Sequence, residues 1–515
     1  MTAAFRSRKL ARIFLSTAFG VALFVGPANA QKQGGSITVG LELDIPGFDP
    51  LKVGVFDTSA ETAAAAIFDT LTTLDDKGEV QPKLALSWTH SDDFKTWTFK
   101  LRPGVKFQDG TPFNAEAAKA NFDRQKDPAN KCRCAFYIAS IHDVQAPDEL
   151  TLVYNLTDPS VNLPGVLTLQ SSNFVMQSPT AWKTKGDDYN RNPVGTGPYI
   201  LTQFKQGSEV DLVANGNYWG QKASIKNVKI LGVPDDSTRV SMLLSGQADI
   251  AESVPQPLIS RVSQSANYEI RAIPTASTFY LMFNMNLPPF NDVRVRQALN
   301  YSIDRSSLVG NLFKQTAEAS YQWYVPAYPG FDKAYDPYPY NPGKARALLA
   351  QAGYPNGVDA AFYFPIGNGP MDLQSAEALQ AQLQQVGFRV SMHGGDPNSV
   401  RNAFTLGNES GVLINNYAPP SLDVALLFAY YLTPGSNYSK TAVSPAAVAL
   451  VQQAVTTADL ATREKLYNQA QDIFLGEQSL FAPLWTQVDT WGVAKDVVFN
   501  PEPLQAYYMN QMSFK

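Results

Sequence analysis

The chain is predicted to be α/β, with two lobes joined by a hinge and a further subdomain inserted into one of them. Three observations lead there. Strand-like and helix-like segments alternate between 341 and 392, which implies a parallel sheet with helical crossovers. At 515 residues the chain is too long for one core and asks for two or three domains. Two apolar strand-like runs, near 275 and near 480, carry the chain between lobes, and two such crossings make a two-segment hinge.

The first thirty residues stand outside that fold. Arg6, Arg8, Lys9 and Arg12 form a basic start, Ile13 to Val25 is a short apolar run, and Ala28, Asn29 and Ala30 form a small-residue cleavage site. The run is too short for a comfortable membrane span. A mature chain beginning at Gln31 is expected, exported to a bacterial periplasm. No Cys follows the cleavage site, so no lipid anchor is expected. Four basic residues and no acid leave with the signal. The mature balance is then 37 basic against 46 acidic residues, and this acidic surface argues against nucleic acid as a partner.

The first strand is read at Gly35 to Leu41. A loop follows, carrying Phe48, Asp49 and Pro50. Thr58 with Glu61 makes a capping box for a helix over 61–71. Residues 74–191 read as a separate lobe: a strand over 95–101, a turn-rich link to Pro112, a helix over 115–124 capped by Asn114, and a strand over 149–154. Cys132 and Cys134 lie one residue apart in it. An oxidising compartment permits a disulfide between them, although so short a gap closes a strained ring. A metal site is the other reading. The three histidines, His90, His142 and His393, stand at no ligand spacing from the cysteines.

The stretch from Asn192 to Tyr199 reads Asn-Pro-Val-Gly-Thr-Gly-Pro-Tyr. Gly195 and Gly197 permit positive φ, and Pro193 and Pro198 fix their own, so a rigid turn is expected to feed a hairpin of strands 199–204 and 209–213. Then come a strand at 228–233, a helix from Asp235 to Leu244 stopped by Gly246, and a short strand at 248–251. A strand over 278–283 leads to the loop from Asn284 to Phe290. Asp292 caps a helix over 293–303, and Asp304 caps the next. Asn341, Pro342 and Gly353 bracket another helix. A strand at 360–364, a helix at 372–386 and a strand at 388–392 form the β-α-β unit. A helix over 461–475 and a strand from Ala482 to Val493 end the series.

Several of these stretches resemble one family. They are the 192–199 turn, Phe107 to Pro112 after the 95–101 strand, the helix leading to Ala248-Asp-Ile250, and above all Asn284 to Phe290 followed by Asp292-Val-Arg-Val-Arg-Gln-Ala-Leu299. Together they are similar to the periplasmic solute-binding proteins of ABC importers for peptides, opines and nickel (family 5 extracellular solute-binding proteins). The likeness covers essentially the whole mature chain. It implies a periplasmic-binding-protein fold that is three-lobed and pear-shaped. The expected division is 31–73, 192–276 and 482–515 as central lobe, 74–191 as inserted subdomain and 277–481 as second lobe. It also implies a monomer that captures a peptide-like or other small solute between lobes and passes it to an inner-membrane ABC permease, with no cofactor.

In peptide-binding members an Asp in a Trp-x-x-Asp-x-x-Asp-Pro pattern meets the amino terminus of the peptide. Here that register falls on Tyr417 to Val424. Tyr417 takes the aromatic place, Asp423 keeps the second acid, and Pro420 stands where the amine would be met. An Arg that takes the carboxylate in dipeptide binders has Asn368 near its place. A zwitterionic dipeptide held by both ends is therefore a poor fit, because a buried charge without its partner costs several kcal/mol, order of magnitude. A neutral, capped or opine-like molecule, or a longer peptide held by its backbone, fits better. Phe48, Asp49, Trp485, Asn437 and Tyr438 complete the expected cleft residues. Core packing is the plain alternative for each aromatic, and turn chemistry for Asp49.

No nucleophile elbow, zinc-protease motif, phosphate loop or dinucleotide fingerprint occurs. Asp75 with Asp76, Asp92 with Asp93, and Asp187 with Asp188 sit in polar turns. A secreted hydrolase using cleft carboxylates is the competing reading, and it needs two acids at a set separation. An export chaperone or a sensor-coupled lobe would use the same fold. Nickel or haem binding is a further alternative within the fold, with His393 as its thin support.

Overall fold

A computed structural model describes residues 34–53, 58–75, 78–132, 138–168, 174–326, 328, 330–366, 371–406, 410–417, 424, 428, 444–499 and 507–515. Strand β1 (Ser36–Leu41) leads through the 42–53 loop to helix α1 (Thr58–Ile67). The helix begins at Thr58 itself, so Thr58 is its first turn and not a cap ahead of residue 61. It also stops four residues short of Leu71. Its last carbonyl is taken from outside: Ile67 O accepts from Gly197 N at 2.9 Å and from Gln108 Nε2 at 3.1 Å.

That contact corrects the reading of the 192–199 turn. Neither Gly195 nor Gly197 has positive φ. What they provide is closeness. A Cβ on Gly195 would lie 2.2 Å from Ile67 O, and one on Gly197 would lie 2.5 Å from Ile67 C. The backbone passes directly over the end of α1, and only glycine fits there. Gln108 holds it down. Its amide nitrogen donates to Tyr199 O at 2.7 Å, and its amide oxygen accepts from Gly195 N at 3.1 Å.

Between α1 and this turn lies a four-stranded antiparallel sheet of β2 (Ala85–His90), β3 (Thr96–Leu101), β4 (Ile141–Asp148) and β5 (Thr151–Leu156), in the order β2-β3-β5-β4. Helix α2 (Ala115–Lys126) covers it, and Asn114 Oδ1 caps α2 by accepting from Ala117 N at 2.9 Å. β5 starts two residues later than expected, because Leu150 belongs to the turn and donates its N–H to Asp148 Oδ1. Trp97, Phe99, Phe107, Phe113, Phe122 and Tyr154 build a core here, separate from that of the main sheet.

The main sheet has eleven strands among the described residues. It takes β1, the hairpin β6 (Tyr199–Lys205) and β7 (Glu209–Ala214), β8 (Asn227–Gly232), and β9 (Ile250–Ala251), which follows helix α3 (Asp236–Leu244). The long β10 (Tyr268–Phe283) comes next, then helices α4 (Val293–Ser302) and α5 (Arg305–Leu312), and β11 (Ala317–Ala319). Helix α6 (Pro342–Gln351), β12 (Val358–Pro365), helix α7 (Asp372–Val386), β13 (Phe388–Gly395) and β14 (Gly411–Tyr417) follow. Helix α8 (Leu460–Gln471) and the long β15 (Phe481–Ala494) complete it. The order is β13-β12-β14-β10-β15-β9-β1-β8-β7-β6, with β11 beside β15. β12 and β13 are parallel, as the β-α-β pattern requires. Helix α8 ends at Gln471, and the expected span to 475 continues as a wider π-helical turn over Asp472–Glu477.

β10 begins ten residues before the expected 278. Its first half carries half-exposed side chains and no apolar run, so only its partner defines it: β15 pairs with it from Tyr268 opposite Ala494 to Met282 opposite Phe481. Its second half is buried on both faces. Phe279, Leu281 and Phe283 enter one core, and Tyr280 and Met282 enter another. The loop-helix corner after β10 is fixed by buried Arg296, which donates to Phe290 O at 2.7 Å and Gln478 O at 2.7 Å.

Candidate functional site

Strands β1, β8 and β9 are mutually parallel, so their carboxyl ends open at one edge of the sheet. In open α/β sheets that edge is where ligands bind. Two carboxylates that sequence reasoning passed over lie there. Glu252 follows β9 directly and is 3% exposed. Its Oε2 accepts from Glu42 N at 2.8 Å, just past β1, and from Ser59 Oγ at 2.9 Å, in the first turn of α1. Burial, with the charges of Glu42 and Asp489, pushes its carboxyl up to about 8. Asp489, on β15, is 7% exposed and accepts from Gln487 Nε2 at 3.0 Å. Burial and the Glu42 charge push it up to about 7.

The fully buried Arg239 of α3 frames this edge. Its guanidinium donates to the backbone carbonyls of Glu252 at 2.6 Å and Ser253 at 2.9 Å, and to Asp236 at 2.6 Å. It thus fixes the turn after β9 through the backbone carbonyls of that turn.

Beside the two acids, the pairing of β10 and β15 breaks. Ile273 faces Asp489 and Pro274 faces Val488. The register then shifts, and pairing resumes with Thr278 opposite Thr486. The loose stretch is tied by side chains. Thr275 Oγ1 donates to Gln487 O at 3.0 Å, Ser277 N donates to Thr275 Oγ1 at 3.0 Å, and Asn416 Nδ2 donates to Ser277 Oγ at 3.4 Å. Thr275, Ser277, Thr278, Thr486, Thr490 and Asn415 are all buried. The crossing is a buried seam of hydroxyls and amides. It suits the recognition of a polar solute by hydrogen bonds.

The expected cleft residues are placed unevenly. Phe48 is 0% exposed and meets the edge of Phe204 at 5.3 Å inside the central core. Asp49 is 1% exposed, with both oxygens taken by Arg124 at 2.7 and 3.0 Å. The backbone N–H groups of Phe48 and Asp49 both donate to Asn190 Oδ1. The loop after β1 is thus bolted to α2 and to Asn190, and its buried Asp is engaged by Arg124 and by Leu51 N. Trp485 is 3% exposed and stacks on Phe279 at 4.9 Å, with Phe313 at 4.8 Å. In this structure Phe48 and Trp485 are packed against other rings and Asp49 is ion-paired. Tyr417 ends β14 with its backbone opposite Thr278, at the register break. Asn368, Asp423, Asn437 and Tyr438 lie outside the described residues. Cys132 is disulfide-bonded, and Cys134 lies outside the described residues. Among the described residues no cluster of three or more His, Cys, Asp or Glu suits a metal ion. His393 stacks on Tyr363 at 5.0 Å.

A sequence signal for the missed acids existed. Glu252 stands directly after the short strand ending at Ala251. Asp489 is a charge inside a fourteen-residue strand that is buried almost throughout.

The sequence model of the bacterial extracellular solute-binding proteins, family 5, middle part, matches residues 79–439. The chain belongs to this family. It is the periplasmic solute-binding component of an ABC importer, and its partners are a small solute and an inner-membrane permease. The glutathione-binding protein GsiB of Shigella flexneri is 34% identical over 439 residues, covering 83% of this chain and 85% of that protein. HbpA2 from Haemophilus parasuis shares the fold with a TM-score of 0.82 at 24% identity, over 93% of this chain and 100% of that one. The binding protein AgaA from A. tumefacien R10, solved with agropinic acid, superposes with a TM-score of 0.77 at 26% identity, over 93% of this chain and 99% of that one. Family members and relatives are binding proteins. The periplasmic-binding-protein fold read from the sequence is the fold of this chain.

Proposed function

We propose that the chain captures a small peptide-like solute, glutathione first among candidates, where β10 and β15 cross the carboxyl ends of β1 and β9. The observation that carries this is the 34% identity over 439 residues to a glutathione-binding protein. The hydroxyl and amide seam supports it, since such a seam recognises a peptide backbone. So does Pro420, which offers no charge where peptide binders meet an α-ammonium. Glutathione carries its ammonium on a γ-linked residue, away from an ordinary peptide amino terminus. Tyr417, Asn368, Asp423, Asn437 and Tyr438 are proposed to contact the solute, and Asp423 supplies an acid near it.

The proposed division is 31–73, 192–276 and 482–515 as central lobe, 74–191 as inserted subdomain and 277–481 as second lobe. β10 and β15 then form the hinge, and their register break is the place where it twists. Closure selects the form the permease accepts, because a solute shifts that equilibrium only by its differential affinity. The solute leaves chemically unchanged. Titration calorimetry with glutathione, a dipeptide set and opines tests the reading, with mass spectrometry of each solute after incubation. Micromolar or tighter binding of glutathione, recovered intact, is expected, equivalent to about −8 kcal/mol or more favourable. Tight binding of simple dipeptides with glutathione silent would sink it, as would turnover.

A further inference from the structure

Glu252 and Asp489 are both buried beside the proposed hinge. Two further acids, a serine, a tyrosine and an arginine stand around them. Glu42 faces both from the end of β1, and α1 presents Ser59 and Glu61. The C-terminal segment presents Tyr507, whose hydroxyl is pushed well up by burial and by Asp489, Glu252 and Glu61, so it stays protonated in the neutral range. Arg239, from α3, is bonded to the Glu252 carbonyl and to Asp236.

We propose that Glu252 and Asp489 form a proton-held latch on the hinge, favouring the closed form when protonated and the open form when both ionise. This rests on the two-lobe reading above. The geometry links the pair to the moving part by short steps. Asp489 bonds the Gln487 side chain, the Gln487 carbonyl takes the Thr275 hydroxyl, and Thr275 opens the stretch where β10 loses register with β15. Glu252 closes the other side by holding Glu42 and Ser59 against the end of β9. Ionised together, two carboxylates beside Glu42 need water. Water reaches them if the strand pair twists open. A two-state hinge biased by protonation is therefore built into the crossing.

Spin labels on the two lobes test this. Labels at Lys222→Cys and Ala347→Cys, on exposed positions, report the interlobe distance by double electron–electron resonance in the ligand-free mature protein. Spectra are taken at about pH 6 and about pH 8.5, the range over which the pair would ionise. The expected result is two distance populations, with the longer one gaining at high pH. That gain should be lost in Glu252→Gln and, independently, in Asp489→Asn. Two populations that ignore pH would overturn the latch and leave the hinge standing. One narrow distance at every pH would overturn both. The unsubstituted latch decides the matter on its own if either variant fails to fold.

Discussion

Asp49 and Arg124 form a two-pronged ion pair across 75 residues of sequence, at 2.7 and 3.0 Å, with the carboxylate buried. The guanidinium also lies over the Trp182 ring, 4.9 Å from its centre. The pair joins the loop after β1 to helix α2. Removing one partner strands the other. Asp49→Asn should therefore destabilise the protein by about 3 kcal/mol, read as a lowered urea midpoint. Solute affinity of the folded fraction should hardly change, which separates a bolt from a binding residue.

The two buried acids set a pH trend in stability. Their folded carboxyls sit above the ordinary range, so the folded state holds their protons more tightly than the unfolded chain does. The stability they contribute is complete at low pH. It is lost as pH rises through about 7 for Asp489 and about 8 for Glu252. We expect the free energy of unfolding to fall by a few kcal/mol, order of magnitude, between the ordinary carboxylate range near about pH 4 and about pH 8, and to level off above that. Glu252→Gln should flatten the curve. Urea titrations at a series of pH values measure both, and a curve that rises over the window would contradict the assignment.

Gly197 touches the end of α1 so closely that a methyl group cannot be admitted without displacing backbone. Gly197→Ala should cost about 1–3 kcal/mol by overpacking. Its φ is ordinary, so the loss comes from crowding and not from backbone strain. Thermal unfolding gives the size. A neutral result would mean that the turn can lift off the helix.

Gln108 answers the same junction from the other side. Gln108→Ala removes partners from Ile67 O, Tyr199 O and Gly195 N together. A loss of about 2 kcal/mol is expected from leaving such groups buried and unpaired. Combined with Gly197→Ala, the losses should fall short of their sum, because either change alone already loosens the junction. A double-mutant cycle measures that coupling.

Much of the fold was legible because its signals are local. Asn114, Asp235, Asp292, Asp304 and Asn341 each cap the helix read from them, and each accepts from a backbone N–H two or three residues on. A cap needs only its own turn. The early half of β10 needs β15, two hundred residues away, and nothing in its own pattern announces it. The site divided in the same way. Phe48 and Trp485 have the composition of a pocket wall and the surroundings of a core, which composition cannot separate. Asp49 found its partner in a helix whose position no spacing predicts. Glu252 and Asp489 each carried a local signal, a charge at or inside a buried strand, but their meeting at one edge needed strands distant in sequence.

The place of β15 in the sheet bears on how the molecule can be made. It is laid down between residues 481 and 494 yet runs through the middle, with β10 on one side and β9 on the other. A nascent chain lacking its last few dozen residues has two half-sheets with exposed edges and no strand to join them. Native order must then wait until synthesis is almost complete, since long-range pairing cannot begin without its partner.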